Sequence, residues 1–202
     1  MRKAPADLQY TWWKYLLVIL LSITVWVAVF DILGTPEKNQ KLQITFVGED
    51  FLFDALQADL QEKMPGLTDQ ELKKLTVESP MNGNWEDYHD IMSVRAYSAD
   101  IIIVEESAMT DTFGYSYFVE LPVEKLPQSL QNRDFYTEDG KAYGILLYDG
   151  STPNVFSQYY SGGERCYLFI THNCVNAAGI MGKGKQTDDA ALAVIEYLLE
   201  AN

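Results

Sequence analysis

The chain has 202 residues, with 15 Lys+Arg against 29 Asp+Glu and a formal net charge of −14. So acidic a balance excludes nucleic acid as a partner, because phosphate binding needs a basic surface. It also sets the polar part of the chain against anionic lipid headgroups, leaving solubility in a crowded layer or an acidic ligand site as the readings of its charge.

The first element is apolar. Trp12 to Leu33 reads WWKYLLVILLSITVWVAVFDIL, and Tyr15 to Phe30 carries no charge. As a helix this stretch spans roughly 33 Å, enough for a bilayer core of about 30 Å. Lys14 can snorkel to the headgroups, and Trp12, Trp13 and Tyr15 form an aromatic belt at that end. Arg2, Lys3 and Lys14 precede the run, against Asp7 alone, whereas Asp31 and Glu37 follow it. The positive side stays cytoplasmic, so the expected layout is a cytoplasmic tail at 1–11, a transmembrane helix at 12–33, a linker at 34–41 and an extracytoplasmic domain at 42–202. The competing reading is a cleaved signal peptide, but Val27-Ala-Val-Phe30 lacks the small-x-small pattern of a cleavage site.

Residues 34–202 hold 12 Lys+Arg and 27 Asp+Glu, a charge of −15. Leu42-Gln-Ile-Thr-Phe-Val47 reads as a strand entering a turn at Gly48. Asp50 is placed to cap a helix whose apolar residues Phe51, Phe53, Leu56, Leu60 and Met64 recur near 3.6, with Pro65-Gly66 as its stop. A second amphipathic piece is expected over Thr68 to Leu75, capped by Thr68 or Asp69. Leu75 to Glu78 is a short strand, and Asn82-Gly-Asn84 a loop. Trp85, Tyr88, Ile91, Met92 and Arg95 have helical spacing up to Tyr97. Ile101-Ile-Ile-Val104 is a continuous apolar run, as in strands buried on both faces.

Pro127 starts a short helix, and Glu138-Asp-Gly140 turns into a strand over Lys141 to Tyr148. Ser151 to Gly163 is a Gly/Ser/Tyr loop with room for one helical turn. Arg165 to Ile170 is a further strand, Gly179 to Lys185 a flexible stretch, and Thr187-Asp-Asp caps a final helix with a stripe of Ala190, Val194, Tyr197 and Leu198. The alternation predicts an α/β fold: a three-layer domain on a mainly parallel sheet with right-handed crossovers. Cys166 and Cys174 would lie about 26 Å apart on one strand, too far for a disulfide, although a tight turn between them would change that. The expectation is a domain held by core packing.

These tracts, LQITFVG, LTVES, SADIIIVEES, DGKAYGILLYDG, YLFITHNCVNAAGI and TDDAALAVIEYLLEAN, resemble the first lobe of extracellular solute-binding proteins of ABC importers, the type 2, sugar-binding kind. The likeness covers nearly all of residues 42–200 and is nearest to compact, membrane-anchored forms in Gram-positive bacteria. It implies a strand order of 2-1-3 with further strands added, ligand loops at the carboxyl ends of strands, a single lobe, and a family asparagine falling at Thr171 or Asn173.

Carboxyl ends of strands are where open α/β sheets meet ligands. Here they carry Glu49 and Asp50, Glu105 and Glu106, and Asp149. With Trp85 and Tyr115 these residues would form an acidic, aromatic rim suited to sugars, whose C–H faces stack on rings and whose hydroxyls donate to carboxylates. The bland alternative is that Asp50 only caps, the glutamates only solvate a turn, and Trp85 packs in the core. No catalytic residue is assigned. Glu105 and Glu106 are adjacent and point apart on an extended chain, His89 reads as an ion-pair partner, and His172 with Cys174 forms no known motif. No metal site or cofactor is assigned either: Cys166, His172 and Cys174 lack ligand spacing, and Gly182-Lys-Gly-Lys185 lacks that of a phosphate loop. Two functions are expected to compete. One is a non-catalytic, membrane-anchored solute-binding module accessory to an importer and holding a small, sugar-like ligand. The other is a degenerate lobe that docks another membrane protein or itself.

Overall fold

The computed structural model describes residues 6–34, 36–79, 96–109, 117–181 and 188–201. They fall into two compact units, Met1–Glu37 and Lys38–Asn202. The first unit is one helix, α1 (Ala6–Gly34). Its stretch Trp12–Phe30 has a mean hydropathy of 2.1 and none of it is buried, so it is long and apolar enough to cross a membrane. This is a helix of the signal-sequence or membrane-anchor kind. Its one threonine in this stretch, Thr24, donates to the Leu20 carbonyl at 2.9 Å, which satisfies the hydroxyl without water. Trp26 stacks on Phe30 one turn on, at 5.5 Å between ring centres, and the Lys14 ammonium lies 6.0 Å from the Trp13 ring centre.

The second unit is an α/β domain on one six-stranded sheet. Its strands are β1 (Lys41–Val47), β2 (Lys74–Glu78), β3 (Ile101–Glu105), β4 (Phe135–Glu138), β5 (Lys141–Tyr148) and β6 (Cys166–Ile170), in the order β2-β1-β3-β6-β5-β4. β2, β1 and β3 pair in parallel, giving the expected 2-1-3 core. The added strands β6, β5 and β4 each pair antiparallel with their neighbour. Four strands therefore point one way and two the other.

Residue parity assigns the two faces. Leu42, Ile44 and Phe46 of β1, Ile101 and Ile103 of β3, and Leu168 and Ile170 of β6 build the larger core. Two helices cover it: α2 (Phe53–Leu67) buries Leu56, Leu60 and Met64, and α5 (Ala190–Leu198) buries Ala190, Ala191, Val194, Ile195 and Leu198. The alternate residues Val47, Ile102, Val104, Tyr167 and Phe169 face the second core, with Ala96, Ala99, Ala108 and Phe118 upon them. Both faces are covered, as the unbroken apolar run in β3 demands. Two short α-helices are also present, α3 (Gln128–Gln131), which follows Pro127, and α4 (Ala178–Met181), along with single 3-10 turns at Lys38–Gln40, Glu106–Ala108, Val123–Lys125 and Phe156–Gln158.

Close approach explains Gly144. A Cβ there would lie 2.6 Å from the Phe169 ring on β6. Pairing also skips Tyr143, since Tyr136 opposes Gly144 and Thr137 opposes Ala142. This bulge reverses parity and places Tyr143 in the second core.

Several local readings differ from the expectation. Asp50 does not cap α2: Leu52 precedes the helix, with no side-chain cap, and Asp50 adopts a left-handed φ of 54°. Pro65 lies within the last turn rather than ending the helix. Residues 68–73 form bends and irregular chain, not a second amphipathic helix: the Thr68 hydroxyl accepts the Gln70 N–H at 3.1 Å as a cap would, but the Lys73 N–H is spent on the Gln40 carbonyl rather than on a helical bond. Strand β4 was not expected, although Asp139-Gly140, with φ of 50° and 77°, is a hairpin turn. Both cysteines are free and buried. The chain turns between them, the Cys174 N–H donating to the Thr171 carbonyl at 3.1 Å. Thr171 is itself buried, its hydroxyl donating to the Ala99 carbonyl at 2.6 Å. Most of the expected helix from Trp85 to Tyr97, the Asn82-Gly-Asn84 loop, Thr187 and residues 182–185 lie outside the described residues.

Ile103 sits in the middle of β3 and is fully buried. Ile103→Ala is expected to cost about 3 kcal/mol, from the lost transfer energy and the cavity left behind, read as a lowered denaturant midpoint of the full chain in detergent. Native Cys166 and Cys174 are expected to resist a thiol reagent until the domain unfolds.

Candidate functional site

The chain passes from β1 to β2 on one side and then returns to β3 on the other. Strand order reverses there, which opens a crevice beyond the carboxyl ends of β1 and β3. Because β6 runs antiparallel to β3, its amino end meets the carboxyl end of β3, with Cys166 opposite Glu105. The loop preceding β6 therefore becomes the third wall. The result is a cavity of about 420 Å³ lined by Glu49, Asp50, Glu105, Ser107, Tyr160, Gly162 and Glu164.

Glu105 ends β3 and is only 5% exposed. Its Oε1 accepts the Glu49 N–H at 3.2 Å, and the Tyr160 hydroxyl is hydrogen-bonded to its carboxyl. Burial pushes this carboxyl above the usual carboxylate range. The bonds from Tyr160 and Glu49 oppose that shift, and the charges of Glu164 and Glu49 add to it. The seat exists because residue 48 is glycine: a Cβ there would lie 2.3 Å from Glu105 Cδ. The Tyr160 hydroxyl also accepts the Glu164 N–H at 3.3 Å. Burial, then its bond to Glu105, raises the Tyr160 phenol, and burial raises the Cys166 thiol beneath it, which keeps that sulfur from being a thiolate.

The two loops that wall the cavity are tied together. The Leu52 N–H donates to the Tyr159 carbonyl at 2.8 Å, the Ser161 N–H donates to the Asp50 carbonyl at 3.1 Å, and Phe51 bridges to Tyr160. Aromatic packing backs this clamp, with Phe46 stacked on Phe51 at 4.3 Å between centres and Tyr160 beside Phe46 at 5.7 Å. At the neck of the 150–163 loop, Gly150 has a φ of 87°, and a Cβ on it would lie 2.8 Å from the Gly163 carbonyl oxygen. Asp59 of α2 steadies the same loop from outside. It accepts the Tyr197 hydroxyl at 2.5 Å and is bonded by Tyr159, whose phenol is pushed up to about 12 by burial and that bond.

Of the residues singled out in the sequence, Glu49, Asp50 and Glu105 come together in this cavity. Glu106 does not line it: the side chain is exposed and stands 4.0 Å from Arg165. Asp149 follows β5 and lines a separate cavity of about 360 Å³ with Arg133, Asp134 and Thr152. Its carboxylate accepts the N–H groups of Thr152 at 2.6 Å and Ser151 at 2.8 Å, and both hydroxyls as well. Those bonds hold it well below the usual carboxylate range. Trp85 and Tyr115 lie outside the described residues. Ser107, from the same strand end as Glu105, also lines the β1–β3 cavity, whereas Tyr160, Gly162 and Glu164 were not singled out. Tyr160 and Gly162 belong to a loop legible as Gly/Ser/Tyr-rich, but its place depends on the antiparallel seating of β6.

The lining carries four carboxyl groups and no lysine or arginine, so it repels anions and accepts hydrogen bonds from hydroxyl or ammonium donors. Among the described residues no group of three or more His, Cys, Asp or Glu is arranged to hold a metal ion. In comparisons with protein-family models, curated proteins and solved structures, none matches the chain.

Gly48→Ala places a methyl where the Glu105 carboxyl lies. The glutamate is expected to swing out, at a cost of about 1–3 kcal/mol. A lowered denaturation midpoint and a return of the Glu105 carboxyl titration toward the ordinary range would report it.

Proposed function

We propose that this chain is a membrane-anchored, extracytoplasmic module of the solute-binding kind, non-catalytic, holding a small hydroxyl-rich ligand in the crevice between β1 and β3. The observation that carries this reading is the cavity at the point where strand order reverses, the place where open α/β sheets take their ligands. A volume of about 420 Å³ suits a mono- or disaccharide-sized solute. The buried Glu105 carboxyl, steadied by the Tyr160 O–H, offers acceptor oxygens to the hydroxyls of such a ligand. Anchoring follows from the exposed apolar helix and from Arg2, Lys3 and Lys14 before it, which favour a cytoplasmic N-terminus. The resemblance in the strand and loop tracts agrees with a role beside an importer.

The test is calorimetry of the full chain in nanodiscs against panels of sugars and short peptides. Binding is expected for at least one hydroxyl-rich solute, weakened about tenfold by Glu105→Gln, the loss of one charge-assisted hydrogen bond. Silence across the panels to millimolar concentration counts against ligand binding and favours the docking role. A protease added to intact cells is expected to remove the domain; protection of the domain would overturn the topology.

A further inference from the structure

The end of the sheet opposite the crevice carries a second buried acid. Asp100, immediately before β3, is 8% exposed. Its Oδ2 accepts the Gln43 N–H of β1 at 3.0 Å, and its Oδ1 accepts the Asn176 side-chain amide at 3.0 Å. The Cys174 thiol and the Val175 N–H complete the set. All of these donors are neutral. Among the described residues, the titratable side chains on the segments that meet here are Lys38 and Lys41 at the entry to β1, Asp69, Glu71 and Lys73 around Gln70, Tyr97 before Asp100, His172 and Cys174 of the turn after β6, and Asp188 and Asp189 before α5. Of these, Cys174 is bonded to the carboxyl, and no cation is among the chief influences on it.

The cluster reaches the point where the chain enters the domain. The Asn176 amide also donates to the Lys41 carbonyl at 2.7 Å, and Asn176 Oδ1 accepts the Gln70 side-chain amide at 2.6 Å. The Gln70 amide reaches the Asn39 carbonyl as well, while Gln70 Oε1 accepts the Ala190 N–H at the start of α5 at 2.8 Å. The Lys73 N–H donates to the Gln40 carbonyl at 2.8 Å. One carboxyl thus joins β1, the start of β3, the turn after β6 and, through two amides, α5 and residues 39–41.

We propose that Asp100 is a proton-operated latch that sets how firmly the entry to β1 is held. In the neutral form the carboxyl O–H donates to Cys174 Sγ, and both backbone and amide donors keep their acceptors. In the ionised form the Cys174 S–H donates to the carboxylate instead, and a charge held by neutral donors stays buried, which burial penalises. Burial lifts this carboxyl from 3.8 to about 6, against the hydrogen bonds that lower it. A carboxyl raised on folding binds an extra proton in the folded state between those two values. Its stabilising effect is therefore complete below about 3.8, falls as pH rises toward 6, and is gone above it.

The test uses the full chain in detergent micelles. The Asp100 carboxyl carbon is expected to titrate near 6. Hydrogen-exchange protection at Gln43 and Thr171 is compared between wild type and Asp100→Asn, whose amide mimics the neutral form. Between pH 4 and pH 7 the wild-type protection is expected to fall roughly 100-fold relative to the variant. Titration near the ordinary aspartate value, or the same pH dependence in both proteins, would overturn the latch. Should the variant fail to fold, the wild-type carboxyl titration alone decides.

Discussion

The parallel ladder between β1 and β3 is the constraint on which the rest of the domain depends. It aligns Ile44 to Val47 with Ile101 to Val104, and every one of these residues is buried. Strands buried on both faces need cover on both faces, which α2 and α5 supply on one side and residues around 96–99, 108 and 118 on the other. The ladder also fixes two strand ends side by side. From that adjacency come the crevice at one end and the Asp100 cluster at the other.

β3 is bracketed by two buried acids whose settings differ. Asp100 is enclosed by donors from β1 and from the turn after β6. Glu105 has fewer partners and borders open space, with Gly48 leaving room for it and Tyr160 holding it. Burial raises both carboxyls, and Glu105 lines a cavity. The same chemistry thus sits inside a hydrogen-bonded cluster at one end of the strand and beside a cavity at the other.

Much of this was legible in the residues. The apolar run Ile101 to Val104 announced a strand covered on both faces, and the alternation of β1 with the periodicity of α2 announced the parallel core. Strand ends pointed to Glu49, Asp50 and Glu105 because ligand crevices form there. Pairing sense was not legible: Cys166 to Ile170 is continuously apolar whether its neighbours run parallel or antiparallel. That ambiguity hid Tyr160 and Glu164, which reach the crevice only because β6 is reversed against β3. Asp149 stands at a strand end as read, but its own Ser151 and Thr152 consume its oxygens, a local competition that strand-end reasoning does not see. Thr68 makes the bond of a helix cap to Gln70, yet no helix follows, since the Lys73 N–H goes to the Gln40 carbonyl of a distant segment.

The crevice between β1 and β3 is the claim on which the functional account stands, and chemical-shift mapping addresses it most directly. The isotope-labelled full chain in nanodiscs would be titrated with mixtures of small polyols and amino sugars. The account predicts shifts confined to Glu49, Asp50, Ser107 and the Tyr160 to Glu164 loop. Shifts gathered instead around Arg133 and Asp149, or along residues 61–75, would contradict it, as would a spectrum that never moves.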